Sequence, residues 1–102
     1  MSKLQEALIT VLKEERAELT HLTQEELSGR SGVSRATIAN IERGRQAVTI
    51  DTLYKLSRAL ELDAGTLLNK AINIAYPAAD KAVILSDVDN KQEILDTLSK
   101  YI

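Results

Sequence analysis

Residues 23–44, TQEELSGRSGVSRATIANIERG, decide the fold of this chain. Thr23, with Glu26 three residues on, has the form of a capping box: hydroxyl and carboxylate each satisfy a free backbone amide at a helix start. The helix that begins there is short. Gly29 weakens it by about 1 kcal/mol relative to alanine, and Gly32 supplies a residue that turns with positive φ. Ser34 then caps a second short helix over 35–43, with Ile38 and Ile41 facing inward, and Gly44 closes it. Leu27, Val33, Ile38 and Ile41 fill the small core between the two helices, and Ser28 stays small because the second helix crosses close to it.

Outward from this pair the chain reads as more helices. Leu4, Ala7, Leu8, Val11 and Leu12 recur at the three- and four-residue spacing of an amphipathic helix, with Ser2 as its cap and Gln5 three residues on. Glu14 to His21 is acidic and loses that period, which predicts a polar loop. Thr49 caps a fourth helix whose inner face is Ile50, Leu53, Leu56, Ala59 and Leu60; Asp63 caps a fifth carrying Leu67, Leu68, Ala71 and Ile72. Pro77 marks a break. Beyond it, Ala82 to Leu85 fits either a short strand or the end of a short helix, with helix the preferred reading. From Asn90 a last helix puts Ile94, Leu95, Leu98, Tyr101 and Ile102 on one face. The expected fold is therefore all-α: a five-helix domain over residues 1–70 and a C-terminal helical extension over 71–102.

Composition narrows the function. With 44% apolar and 27% charged residues the chain can bury a core, and 102 residues suit one domain. That core is aliphatic, since there are three Tyr and no Phe or Trp. The absence of cysteine excludes disulfides, cysteine-ligated zinc and a cysteine nucleophile. The N-terminus builds no apolar stretch of the kind a signal peptide or membrane helix requires, so a cytoplasmic protein is expected, with no membrane association. One histidine, no glycine-rich phosphate loop and no carboxylate pair in an evident pocket argue against an enzyme, a cofactor or a metal site. The net charge is −2, but Arg30, Arg35, Arg43, Arg45, Lys55 and Arg58 face only Glu42 and Asp51 within their span, a local balance of +4 that leaves −6 for the remainder. Charge segregated in this way makes one basic face on an acidic body and orients a protein on a polyanion.

Thr23-Gln24, Leu27, Gly32-Val33-Ser34, Ile38 and Ile41-Glu42-Arg43-Gly44 together resemble the lambda-repressor and Cro-like helix-turn-helix family, also called the xenobiotic-response-element family, over about Leu4 to Leu68. The resemblance implies a five-helix domain that binds double-stranded DNA by placing the helix after Ser34 in the major groove. It makes Arg35, Ala36, Thr37 and Asn40 the candidates for base contacts. Their chemistry agrees: an arginine fork matches guanine, asparagine pairs with adenine, and Ala36 or the Thr37 methyl meets a thymine methyl. It assigns Gln24 to a phosphate at the start of the first motif helix. Ser34, Arg43 and Arg45 lie where further phosphates pass. It also implies that Glu42 pairs with a basic residue of the first helix, here Lys13 or Arg16. One departure is the connection Ala17 to Leu22, a few residues longer than usual in the family, which contains the solvated His21.

Proteins resembling this family usually bind palindromic sites as twofold dimers with half-sites about 34 Å apart. Ile94, Leu95, Leu98, Tyr101 and Ile102 are the expected dimer contact; the other reading packs this helix back on its own core. The expected function is a sequence-specific transcriptional regulator, a homodimeric repressor on a palindromic operator. The alternative is an antitoxin-type or adaptor protein of the same fold that binds a partner protein, with or without autoregulatory DNA binding.

Overall fold

The structure is a computed structural model and describes residues 1–77. Those residues form five helices, α1 (Lys3–Glu14), α2 (Gln24–Ser31), α3 (Arg35–Glu42), α4 (Ile50–Ala59) and α5 (Ala64–Ala75), with one π-helical turn over Glu15–Leu19. The expected last helix, the segment Ala82 to Leu85 and the dimer residues Ile94, Leu95, Leu98, Tyr101 and Ile102 lie outside the described residues.

Each helix starts on the residue that the sequence marks. The side chains of Ser2, Thr23, Ser34, Thr49 and Asp63 accept hydrogen bonds of about 3.1 Å or less from the backbone N–H groups of Gln5, Glu26, Thr37, Thr52 and Thr66. Such a cap satisfies one of the orphan amides of a helix start and stabilises the helix by about 1 kcal/mol. At Thr23 the box is reciprocal, because the Glu26 carboxylate accepts from the Thr23 N–H at 3.1 Å. The first helix is different. Gln5 does not turn back to Ser2; its amide oxygen accepts from the Val48 N–H at 2.8 Å and its amide nitrogen donates to the Val48 carbonyl at 3.0 Å. A single side chain thus satisfies both backbone groups of a buried loop residue and ties the α3–α4 connection to α1.

The core lies between α1 and α5 on one side and the α2–α3 pair on the other. Leu8, Val11 and Leu12 of α1 and Leu67, Ala71 and Ala75 of α5 are all buried, and the two helices pack along each other. Leu27, Val33, Ile38 and Ile41 are buried as expected.

Two expectations are corrected. Glu14 to His21 is not a polar loop: α1 continues through the π-turn, which ends in Thr20 and a left-handed His21 at φ 55°. The acidic residues hide that turn because one of them, Glu15, points inward and is buried. Ile50 is not on the inner face of α4 but 86% exposed. The place before the first turn of α4 is taken by Val48, which is buried together with Leu53, the two positions of a hydrophobic staple around the Thr49 cap.

Replacing Gln5 by alanine leaves both Val48 backbone groups without their partner, and the expected loss is about 1–3 kcal/mol in urea unfolding, with an unchanged m value. A loss below about 0.5 kcal/mol contradicts the role given to this amide.

Candidate nucleic-acid interface

The turn between α2 and α3 is built from three short-range interactions. Gly32 adopts φ 76°, a left-handed conformation that glycine takes without a steric cost, and its N–H donates to the Ser28 carbonyl at 3.0 Å. The Ser31 hydroxyl accepts from the Val33 N–H at 3.1 Å. The Ser34 hydroxyl accepts from the Thr37 N–H and donates to Thr37 Oγ1 at 2.8 Å, so cap and first turn lock together.

The far end of α3 is equally fixed. Gly44, at φ 74°, donates to the Ile41 carbonyl at 2.9 Å, and the Arg45 N–H reaches the Asn40 carbonyl at 2.9 Å. This is the pair of bonds of a Schellman ending, and it anchors the backbone of Arg45 directly to the helix.

Between these ends α3 has two unlike faces. Ile38 and Ile41 are each 2% exposed. On the other side, Arg35, Ala36, Arg43 and Arg45 are exposed, and Thr37 and Asn40 are half-buried. Residues 36, 40 and 43 follow one another at four and three positions and share a face, flanked by Arg35. Ser34 is exposed, although its hydroxyl is engaged within the turn. All eight residues expected to contact DNA therefore belong to α3, its two ends or the first position of α2.

Glu42 lies on the inner shoulder of α3 and gathers a network. Its two carboxylate oxygens accept from Arg16 Nε at 2.6 Å and Nη2 at 2.7 Å, a bidentate pair whose side chains are 12% and 7% exposed. Arg16 Nη1 also donates to the Leu22 carbonyl at 2.7 Å, and Gln24 Nε2 donates to Glu42 Oε1 at 3.2 Å. Of the two basic partners open to Glu42, the structure uses Arg16; Lys13 is exposed and acts on the carboxylate only through its charge. Burial alone pushes the Glu42 carboxyl upward, but the hydrogen bonds from Arg16 and Gln24 outweigh it and hold the group below the usual carboxylate range. The same contact raises Arg16 above its ordinary value. Half-buried Gln24 thus has one amide N–H committed to Glu42 and a second that makes no hydrogen bond within the described residues.

Three contributors have no signature in the motif itself. Gln5, Glu15 and the Leu22 carbonyl hold the frame, and only Glu15 has a visible signal, since it follows Leu8 and Val11 at the spacing of the buried stripe of α1. On α4, the Arg58 guanidinium folds over the Tyr54 ring, 5.8 Å from its centroid, and donates to its hydroxyl at 3.1 Å.

A braced pair of short helices, a glycine turn and a second helix with a polar, cationic outer face define a helix-turn-helix DNA-binding domain. A helix-turn-helix family model matches residues 12–67. The chain belongs to the lambda-repressor and Cro-like helix-turn-helix family of DNA-binding transcriptional regulators. It is 51% identical over 39 residues to an uncharacterized HTH-type transcriptional regulator of Sinorhizobium fredii, a match covering 38% of this chain and 51% of that protein. It is 45% identical over 51 residues to another of Methanothermobacter thermautotrophicus, covering 50% of this chain and 72% of that one. The chain thus spans about half the length of the first relative. No solved structure matches it at a significant level. Among the described residues no helix is long and apolar enough to cross a membrane.

A carboxyl held low in the folded state stabilises the fold above its unfolded value, and that contribution is lost as pH falls through the folded one. Glu42→Gln, which leaves Arg16 uncompensated, is expected to lower stability by about 3 kcal/mol at neutral pH. The gap between the two proteins should close as unfolding is followed down through the acid range. A pH-independent gap contradicts the assignment.

Proposed function

We propose that the protein is a sequence-specific regulator that binds double-stranded DNA, a cytoplasmic repressor acting as a homodimer on a palindromic operator. The observation that carries this reading is the division of α3: one face is locked into the core, and away from it lie exposed Arg35 and Ala36 and half-buried Thr37 and Asn40, all within the basic span.

In the major groove, the Arg35 fork reads guanine O6 and N7, and Asn40 pairs with adenine N6 and N7. Ala36 and the Thr37 methyl meet thymine methyl groups. Arg43 and Arg45 neutralise phosphates at the far end of the helix. Gln24 gives its second amide proton to a phosphate, and Ser34 holds the near end of α3 against the backbone. These contacts fix register and the base contacts fix sequence. Ile94, Leu95, Leu98, Tyr101 and Ile102 supply the twofold contact that joins two half-sites about 34 Å apart, and an occupied operator excludes transcription from the site it covers.

Selection of bound sequences from random duplexes, followed by titration, tests the reading. Arg35→Ala is expected to lower affinity by about 1–3 kcal/mol and to relax preference at one position. Arg43→Ala and Arg45→Ala should weaken all duplexes alike, each reducing the salt slope by about 1. A sequence-independent loss from Arg35→Ala contradicts the base-reading role. Chains ending at Pro77 should sediment as folded monomers with weak DNA binding, and a dimer of that length contradicts the assigned twofold contact.

A further inference from the structure

The inward stripe of α1 is apolar until its end. Leu8 and Val11 are each 4% exposed, and the next position of the stripe is Glu15, 5% exposed. A carboxylate there is taken out of water, and burial of an ion is unfavourable unless a charge and hydrogen bonds compensate it. The compensation comes from α5, where Lys70 Nζ donates to Glu15 Oε1 while the lysine side chain remains 48% exposed. The next residue along the chain is Arg16, which clamps Glu42 at the end of α3. Consecutive residues of one turn therefore hold α5 and the DNA-facing helix.

That turn is the π-turn, and its register is pinned. The Thr20 N–H reaches the Glu15 carbonyl at 3.0 Å, and the Leu22 N–H reaches the Arg16 carbonyl at 2.8 Å. The Thr20 hydroxyl donates to both of those carbonyls, at 2.9 and 2.8 Å. A π-turn carries one more residue than an α-turn, so any change of register turns the chain on one side of it relative to the other. Beside the ion pair lies an open cleft of about 320 Å³, lined by Val11, Glu14, Glu15, Lys70, Asn73 and Ile74. Without Lys70, the Glu15 carboxylate would turn toward the water of that cleft.

We propose that Glu15 and Lys70 are positioning residues for DNA binding, the buried pair setting the π-turn and hence the aim of Arg16 and the seat of α3. This rests on the reading of α3 as the DNA-contacting helix.

The full chain and a duplex obtained by selection provide the test. Lys70→Met, folded at the assay temperature, is expected to bind about five- to tenfold more weakly with an unchanged salt slope, because Lys70 touches no phosphate. Lys70→Arg should restore affinity. Added to Glu42→Gln, Lys70→Met should cause no further loss, since both act through Arg16. The Arg16 Nε–H resonance should move in Lys70→Met and return in Lys70→Arg. If Lys70→Met does not fold, Glu15→Gln, which leaves no unpaired buried carboxylate, is expected to show the same loss, the same shifted resonance and the same non-additivity. Wild-type affinity with an unmoved Arg16 signal, losses that multiply in the double variant, or a reduced salt slope each overturn the proposal. A wild-type chain that selects no duplex overturns the DNA-binding reading instead.

Discussion

Glu42 accepts two hydrogen bonds from the Arg16 guanidinium and a third from the Gln24 amide, and through them one carboxylate joins the π-turn, the start of α2 and the end of α3. Few alternatives could hold those three points. The two motif helices are eight residues each, too short to persist alone in water, so their geometry must come from contacts made elsewhere. Apolar packing through Leu27, Ile38 and Ile41 supplies burial but tolerates sliding; a bidentate pair with both side chains nearly covered does not. Arg16 adds the Leu22 carbonyl to the same knot, so the chain entering α2 is fixed as well.

This internal anchoring leaves the opposite side of α3 free for another partner. Every polar group that closes the helix ends is satisfied by its neighbours: Ser34 by Thr37, Gly44 by Ile41, Arg45 by Asn40. Among the described residues, exposed Arg35, Arg43 and Arg45 make no side-chain ion pair, so their charge is available to phosphates. A chain that is acidic overall can therefore carry a cationic working face, because attraction to a polyanion depends on where charge lies and falls off within about 10 Å in ordinary salt.

Much of this was legible in the residues. Ser2, Thr23, Ser34, Thr49 and Asp63 marked five helix starts, since a short hydroxyl or carboxylate before an apolar period has one strongly favoured use. Gly32 and Gly44 marked the turns that end the two motif helices, and Ile38 with Ile41 marked the inward face. What escaped was long-range. Gln5 lies at the position of a capping-box partner for Ser2, but Val48, 43 residues away, offers two bonds where Ser2 offers one. Glu15 looked like part of a polar loop because its partner Lys70 is 55 residues distant. Ile50 fits the apolar period of α4 yet is exposed, and it is Val48, before the cap, that is buried. Local propensity names the elements; pairs separated by tens of residues decide how they are seated.

The most direct measurement is an amide NMR titration of the full chain with a duplex recovered by selection. The largest perturbations should fall on residues 34–37, 40, 43–45 and 24, while the amides of α1 and α5 that line the core remain in place. Perturbations centred on the α1–α5 surface, with those of α3 unmoved, would contradict DNA binding through α3.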